Sequence, residues 1–224
     1  MDYGIFAEGI RKHREEADAS CTPLWERWIA QKPSFTDVLM HELNDFSKAK
    51  RGALRHAAKR AQEALEIDHD TQEFLDRLSH PTMREFNQLK EFFRQKDQTD
   101  REAAGAVYNF WDWPVNREMP VHRISAYLFA GIARRLASGQ KRHPSRGMMN
   151  DIRAISTYGP YVDAMFLDNE CASLLSEEPL RTELRLKAKV FSAKSGEAFL
   201  QYLRDLEAAA SAEVTRYAEE IYGL

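Results

Sequence analysis

Cysteine, glycine-rich loops and long apolar runs are scarce in this sequence, and each scarcity excludes a class of protein. The two cysteines, Cys21 and Cys171, stand far apart and match no metal-ligand spacing, so they predict free thiols in a reducing compartment. No apolar run approaches the roughly 20 residues that a membrane-spanning helix needs. Neither a phosphate-binding glycine loop nor a Gly-x-Ser-x-Gly turn is present. These absences predict a soluble, cytoplasmic protein without a membrane partner.

The composition is that of a folded globular chain. Its 224 residues are 43% apolar and 30% charged, which is enough to bury a core and argues against disorder. The net charge of −3 favours no nucleic-acid partner by itself. Any surface that binds phosphates must therefore be local.

Helical periodicity dominates the first half. Ser34, followed three residues later by Asp37, predicts a helix start. The aromatic stretch 108–114 suits either base stacking or a core, and we interpret it as core. Further along, residues 121–139 form the strongest amphipathic helix. The side chains predicted to face inward are Leu54, Ala58, Met83, Phe86, Leu89, Phe93, Ile124, Leu128, Ile132 and Leu136.

The second half alternates helices with two short strand-like runs, 164–167 and 189–191. This order predicts right-handed crossovers and a parallel pair, with strands buried on both faces. Ser195 then suits the cap of a helix, and a final helix is expected at roughly 211–222. The apolar side chains expected on the first of these helices are Phe199, Leu200, Leu203 and Leu206.

We therefore predict a helix-dominated α/β fold in one domain. A largely helical part would cover about residues 1–120. A small parallel sheet flanked by helices would occupy about residues 121–224.

Three aspartates surround the first strand. Asp151 begins a helix, Asp168 follows the strand and Asp163 precedes it. Ligands of parallel sheets gather where strands end, and clustered carboxylates there suit a hard cation such as Mg²⁺ or Mn²⁺. Asp163 would emerge at the opposite end of the strand from Asp168. The alternative is structural, since aspartate is also favoured at helix starts and turns.

The segment 150–175, NDIRAISTYGPYVDAMFLDNECASLL, resembles the C-terminal half of PIN-type nucleases. In that family an aspartate opens a helix, as Asp151 does here, and a strand ends in an aspartate turn, as at Asp168. The resemblance covers roughly residues 121–207 and extends to uncharacterised bacterial PIN-like proteins with helical insertions. It implies hydrolysis of a phosphodiester by a metal-activated water, leaving a 5′-phosphate. The residues it implies as metal ligands are Asp151 and Asp168, and Asp163 is a possible additional ligand.

The same resemblance implies a further catalytic carboxylate, usually a glutamate on an early helix. Glu42 is the candidate here. The opening strand of the family ends in an aspartate, whereas this chain has only Asp2 before the apolar residues that follow it. The departure favours a second function, a non-catalytic helical binding or regulatory module with a degenerate PIN-like half.

A basic stretch precedes Asp151 and is the candidate nucleic-acid contact. Its side chains also suit a helix C-terminus and a solvated loop. If the protein is a nuclease, we expect its substrate to be RNA rather than DNA and its biological role to be that of a toxin or a defence effector. A non-catalytic binding or regulatory module would instead act through a protein partner or a homo-oligomer. The basic residues are Arg134, Arg135, Lys141, Arg142 and Arg146.

Overall fold

The computed structural model describes residues 21–64, 81–140, 142–145 and 147–223. Their contacts divide the chain into two compact units. The helical unit comprises residues 27–139, and the strand unit comprises the described residues up to Glu26 and from Gln140 onward. The sequence-based division near residue 120 had assigned the helix 121–139 to the part that contains the strands. None of the helices in the described ranges combines the length and the apolar character that crossing a membrane requires.

Helices alone build the described part of the helical unit. A 3₁₀ turn at Pro114–Glu118 directly precedes the largely buried helix that begins at Pro120. The α-helices, the first of which begins in the strand unit, are α1 (21–31), α2 (Phe35–Asn44), α3 (Phe46–Ala64), α4 (Pro81–Phe93), α5 (Asp100–Asp112) and α6 (Pro120–Ala137).

Side-chain caps define where two of these helices begin. Ser34 Oγ accepts the backbone N–H of Asp37 at 3.1 Å, which confirms the predicted start of α2. At α5 the cap is reciprocal: Thr99 Oγ1 accepts the N–H of Glu102, and the Glu102 carboxylate accepts the N–H of Thr99 at 2.8 Å. Each cap satisfies donors that a helix start leaves without an intrahelical partner.

The first and last helices of the 35–137 stretch pack against each other. Val38 of α2 is buried, and the Phe35 ring meets Tyr127 of α6 edge-on at 5.9 Å. Small residues such as Ala130 and Ala133 are fully buried, which suits close approach of neighbouring elements. The predicted inward stripe of α6 is confirmed, because each of its members is buried: Ile124, Leu128, Ile132 and Leu136.

A second apolar cluster joins α3, α4 and α5 around Leu54, Val107 and Trp111. The prediction that the aromatic stretch 108–114 is core is confirmed for Trp111, although Trp113 is more than half exposed. The prediction that Ala58 faces inward is wrong: Ala58 is exposed, and Ala57 is buried together with Leu54 on the inner side of α3. The predicted side chains that pack on this cluster are Met83, Phe86, Leu89 and Phe93.

The strand unit contains the two predicted strands, β1 (Ala164–Phe166) and β2 (Lys189–Phe191). They pair in parallel with Met165 opposite Val190, which confirms the predicted sheet. The prediction that both faces are buried is wrong, since Phe166 is 52% exposed. The helices of this unit are α7 (Met148–Tyr158), α8 (Asn169–Ser176), α9 (Leu180–Leu184), α10 (Gly196–Ala208) and α11 (Ala212–Tyr222).

The last two helices depart from the prediction in their burial. Ser195 precedes α10 but its side chain does not cap that helix; its hydroxyl donates to the Ser192 carbonyl instead. Only one edge of α10 packs on the sheet, where Phe199 and Tyr202 contact the Phe191 ring. The leucines expected in the core are therefore exposed: Leu200, Leu203 and Leu206.

Candidate metal centre

The carboxyl end of β1 leads directly to the first acidic side chain. The ladder continues past the strand, since the Leu167 N–H donates to the Phe191 carbonyl at 2.8 Å. The next residue, Asp168, is the N-cap of α8, and its Oδ1 accepts the N–H of Cys171 at 2.7 Å. This hydrogen bond fixes the orientation of the Asp168 carboxylate at the place where parallel sheets bind ligands.

Asp151 reaches the same place from α7. The helix begins after Gly147, whose φ of 91° belongs to the left-handed region that glycine adopts without steric cost. Asp151 then lies in the first turn, where the helix dipole favours a negative charge. Its backbone N–H donates to the Gly147 carbonyl at 3.0 Å, which is the first hydrogen bond of the helical turn.

Three potential ligand atoms converge between these helices. One carboxylate oxygen of Asp151, one of Asp168 and the thiol sulfur of Cys171 lie within 4.8 Å of one another. The structure thus brings together the two aspartates that the sequence had separated by 16 residues. The structure also places the buried Cys171 in this cluster, whereas the sequence had predicted only that this cysteine is a free thiol.

Electrostatics at the cluster disfavour additional negative charge. Burial raises the pKa of Asp151, and the neighbouring carboxylates of Asp168 and Glu170 raise it further. Burial likewise raises the pKa of Cys171 far above its ordinary value, with Asp168 as the next cause. The Cys171 thiol therefore stays neutral, and it donates to the sulfur of Met148 at 3.7 Å.

The loop before α7 closes the other side of the cluster. The Ser145 N–H donates to Glu170 Oε2 at 3.1 Å, and the Ser145 hydroxyl donates to Asp168 Oδ2 at 3.4 Å. Both oxygens of Asp168 therefore have hydrogen-bond donors, which restricts rotation of the carboxylate.

The cluster fits a hard dication in geometry and in ligand chemistry. Metal–oxygen bonds of roughly 2.0–2.6 Å place two ligands of one ion no more than about 5 Å apart, a limit that Asp151 and Asp168 satisfy. Within the described ranges, no basic side chain forms an ion pair with either carboxylate. The neutral Cys171 thiol is a poor ligand for such an ion, so carboxylate oxygens form the candidate ligand set. Mg²⁺ and Mn²⁺ prefer ligands of this type.

The other predicted acids lie elsewhere. Asp163 stands at the opposite end of β1 from Asp168 and pairs with Lys187 at 2.9 Å, so it does not join the cluster. Glu42 lies on α2 of the helical unit. Burial is the largest effect on its carboxyl group and raises its pKa, while His41 and neighbouring charges have smaller effects. Its assignment as a catalytic acid stays a prediction.

The predicted basic residues divide between the two units. Arg134 and Arg135 are half-buried in the last turn of α6, and the Arg134 guanidinium lies 5.4 Å from the centre of the Phe35 ring. Arg142 is exposed in the strand unit. Lys141 and Arg146 lie outside the described residues. The nucleic-acid contact therefore stays a prediction, with Arg142 as its exposed described member.

Sequence reasoning missed the residues that orient the cluster. Cys171, Ser145 and Glu170 carry no recognisable metal or catalytic motif. One signal was readable: an aspartate three residues before Cys171 has the spacing of an N-cap to its third helical residue. The contact from Ser145 spans 25 residues to Glu170, and local sequence pattern does not encode such a pairing.

Comparison with known proteins identifies no relative, since no family model, no curated protein and no solved structure matches this chain.

Proposed function

We propose that this protein is a metal-dependent phosphodiesterase, a PIN-like nuclease that cuts RNA. One observation carries the proposal: the carboxylates of Asp151 and Asp168 converge at the carboxyl end of a parallel strand. Carboxylates held this close repel each other, and a bound dication would relieve that repulsion. The raised pKa of Asp151 is the expected consequence of this repulsion together with burial.

Asp151 and Asp168 would hold one Mg²⁺ or Mn²⁺ ion, and such an ion would supply Lewis-acid chemistry toward water and a phosphate. Asp168 is oriented for this role by the Cys171 N–H and the Ser145 hydroxyl. Asp151 is supplied by the first turn of α7. Cys171, which lies beside both carboxylates, is buried, and its sulfur contacts that of the buried Met148.

The choice of RNA and the role of toxin or defence effector rest on the resemblance of residues 121–207 to PIN-type nucleases. Arg142 supports a phosphate contact, because it is exposed in the loop that precedes the cluster. A site with one exposed cation would neutralise few phosphates, so we expect weak binding of nucleic acid that depends only slightly on salt concentration.

The test is calorimetric titration of Mn²⁺ into the full chain and two variants, Asp151→Asn and Asp168→Asn. Each variant keeps the size of the side chain and removes its charge. We expect one Mn²⁺ to bind per parent chain and binding to be lost in both variants. Cleavage of a labelled single-stranded RNA should require the same two carboxylates.

Asp163→Asn is the matched control, because this aspartate lies at the other end of β1 and is 77% exposed. It should bind Mn²⁺ as the parent does. Absence of binding by the parent would refute the metal site and favour the non-catalytic binding module. Binding without RNA cleavage would refute the nuclease while retaining the site.

A further inference from the structure

A cavity of about 340 Å³ lies within the strand unit. Its walls come from α8, from α9 with the turn that follows it, and from Val190 of β2. Successive side chains of a strand point to opposite faces of the sheet, and the neighbouring Phe191 packs on α10. The cavity therefore occupies the face of the sheet opposite α10. Among the described residues that line it, none belongs to the cluster of Asp151, Asp168 and Cys171, so the cavity is a separate site.

The lining of the cavity is mostly apolar. Small-molecule sites in proteins have volumes of about 300–1,000 Å³, an apolar lining and a few polar groups that orient the ligand. This cavity has that composition and lies near the lower end of that range, which suits a small ligand with an apolar body. Leu175 and Leu180 are its buried leucines. Six of the nine described lining residues are aliphatic: Ala172, Leu175, Leu180, Leu184, Leu186 and Val190.

Two arginines provide the charged part of the lining. The described lining residues include Arg181 and Arg185 but no acidic residue. Arg181 is already neutralised, because its guanidinium pairs with the Glu178 carboxylate at 2.7 Å. Within the described ranges Arg185 forms no ion pair, and its Nε donates to the Thr182 carbonyl at 3.4 Å. One positive charge at the cavity thus lacks a counter-charge among the described residues.

The backbone at Arg185 supports a role for its side chain. This residue directly follows α9 and has a φ of 44°, in the left-handed region that glycine adopts without steric cost. A residue other than glycine is uncommon there. Glycine would end the helix with less strain, so the turn alone does not explain the arginine. Binding of an anion in the cavity would explain it.

The charge of the surrounding segment also favours an anion. Residues 180–190 contain four basic residues and one acidic residue, whereas the whole chain has a net charge of −3. The potential along this wall of the cavity is therefore positive in a protein that is negative overall, and such a potential attracts anionic ligands.

We propose that the cavity binds a small amphipathic acid, with its apolar body against the aliphatic walls and its carboxylate on the Arg185 guanidinium. A guanidinium presents paired N–H donors that match the two oxygens of a carboxylate. The single unpaired arginine balances a single negative charge. This favours a monocarboxylate over a phosphate monoester, which carries more charge at neutral pH.

The first test is calorimetric titration of sodium octanoate into the full chain without added metal. Octanoate has an apolar chain and one carboxylate, and we expect one molecule to bind per protein chain. Octan-1-ol keeps the apolar chain but lacks the charge, whereas acetate keeps the charge but lacks the chain. Each should bind at least about 10-fold more weakly than octanoate, because each satisfies only one part of the site.

The second test removes the proposed carboxylate partner. Arg185→Gln changes an exposed side chain, so the fold should persist, and unchanged far-UV circular dichroism verifies this. The variant should bind octanoate at least about 10-fold more weakly and bind octan-1-ol as the parent does. Lys187→Gln is the matched control, because it removes the same charge nearby from a residue that pairs with Asp163 and does not line the cavity. It should bind octanoate as the parent does.

A third variant, Ala172→Phe, tests the location of the site. The larger side chain would fill the cavity from α8 without removing any charge, so binding of both octanoate and octan-1-ol should be lost.

Absence of octanoate binding by the parent would overturn the proposal. Equal affinity for octanoate and octan-1-ol, or equal weakening by Arg185→Gln and Lys187→Gln, would overturn the pairing of the carboxylate with Arg185. Octanoate binding that survives Ala172→Phe in full would place the ligand elsewhere and overturn the site.

Discussion

Asp168 Oδ1 accepts the backbone N–H of Cys171 at 2.7 Å, so the side chain that faces Asp151 is also the cap of α8. One carboxylate thus serves the fold and the proposed metal site together. The two roles differ chemically, because a cap needs only an oxygen acceptor whereas a dication needs a negative charge.

Two substitutions of Asp168 separate these roles. Asp168→Asn keeps an oxygen acceptor and should change stability little while abolishing Mn²⁺ binding. Asp168→Ala removes the acceptor as well and should cost about 1 kcal/mol in the free energy of unfolding. Urea denaturation with and without Mn²⁺ measures both effects. Equal destabilisation by the two variants would contradict the capping role.

Asp151→Asn should make the metal-free protein more stable at neutral pH. Because burial and neighbouring carboxylates raise its pKa above the ordinary 3.8, the folded state binds this proton more tightly than the unfolded state. The stabilisation from that proton is complete below the unfolded pKa and is lost as pH rises through the folded value. Asparagine does not titrate, so the variant does not lose this stabilisation as pH rises through the folded pKa of Asp151.

Thermal unfolding of the parent and Asp151→Asn, measured from pH 4 to pH 8, checks the prediction. The gain in Tm of the variant should appear as pH rises and should disappear when Mn²⁺ stabilises the parent. A variant that is less stable than the metal-free parent at pH 7 would show that Asp151 has a structural role instead.

Thr99→Ala should destabilise the helical unit by about 1–2 kcal/mol, because it removes a reciprocal cap at α5. The Glu102 N–H loses its acceptor, and the Glu102 carboxylate loses the hydroxyl that donates to it. Chemical denaturation followed by tryptophan fluorescence reports the change, since Trp111 lies at the other end of α5. Thr99→Ser retains the hydroxyl and should restore most of the stability.

Leu128→Ala should cost about 2–5 kcal/mol, because this fully buried side chain on α6 would leave a cavity. The measurement is the midpoint of urea unfolding. Met40→Ala is the control within the same unit, since Met40 is about half exposed and should change stability by less than about 0.5 kcal/mol. Comparable losses in both variants would contradict the assigned core.

The sequence predicted the elements of this fold better than their surroundings. The stripe through Leu128 and the short runs at 164–167 and 189–191 carry local periodicity and composition, so their type could be read directly. Whether Phe166 and Leu203 are covered depends on neighbours far along the chain. Periodicity reports that a face is apolar, but it does not report what packs on that face.

The same limit applies to the candidate site. Asp168 was found because it follows a strand, and Asp151 because it begins a helix near that strand. Cys171 and Ser145 entered only through packing and through hydrogen bonds to residues on other elements. Asp163 resembles the other two in the sequence, yet the direction of β1 carries it to the opposite end.

The contact between α2 and α6 affects when the helical unit can fold during synthesis of the chain. Phe35 meets Tyr127 across more than 80 intervening residues, so α2 lacks this packing partner until α6 has left the ribosome. Until then the apolar side of α2 is available to chaperones or to its neighbours α3 and α5. Completion of the helical unit therefore waits until α6, the last helix of that unit, has been synthesised.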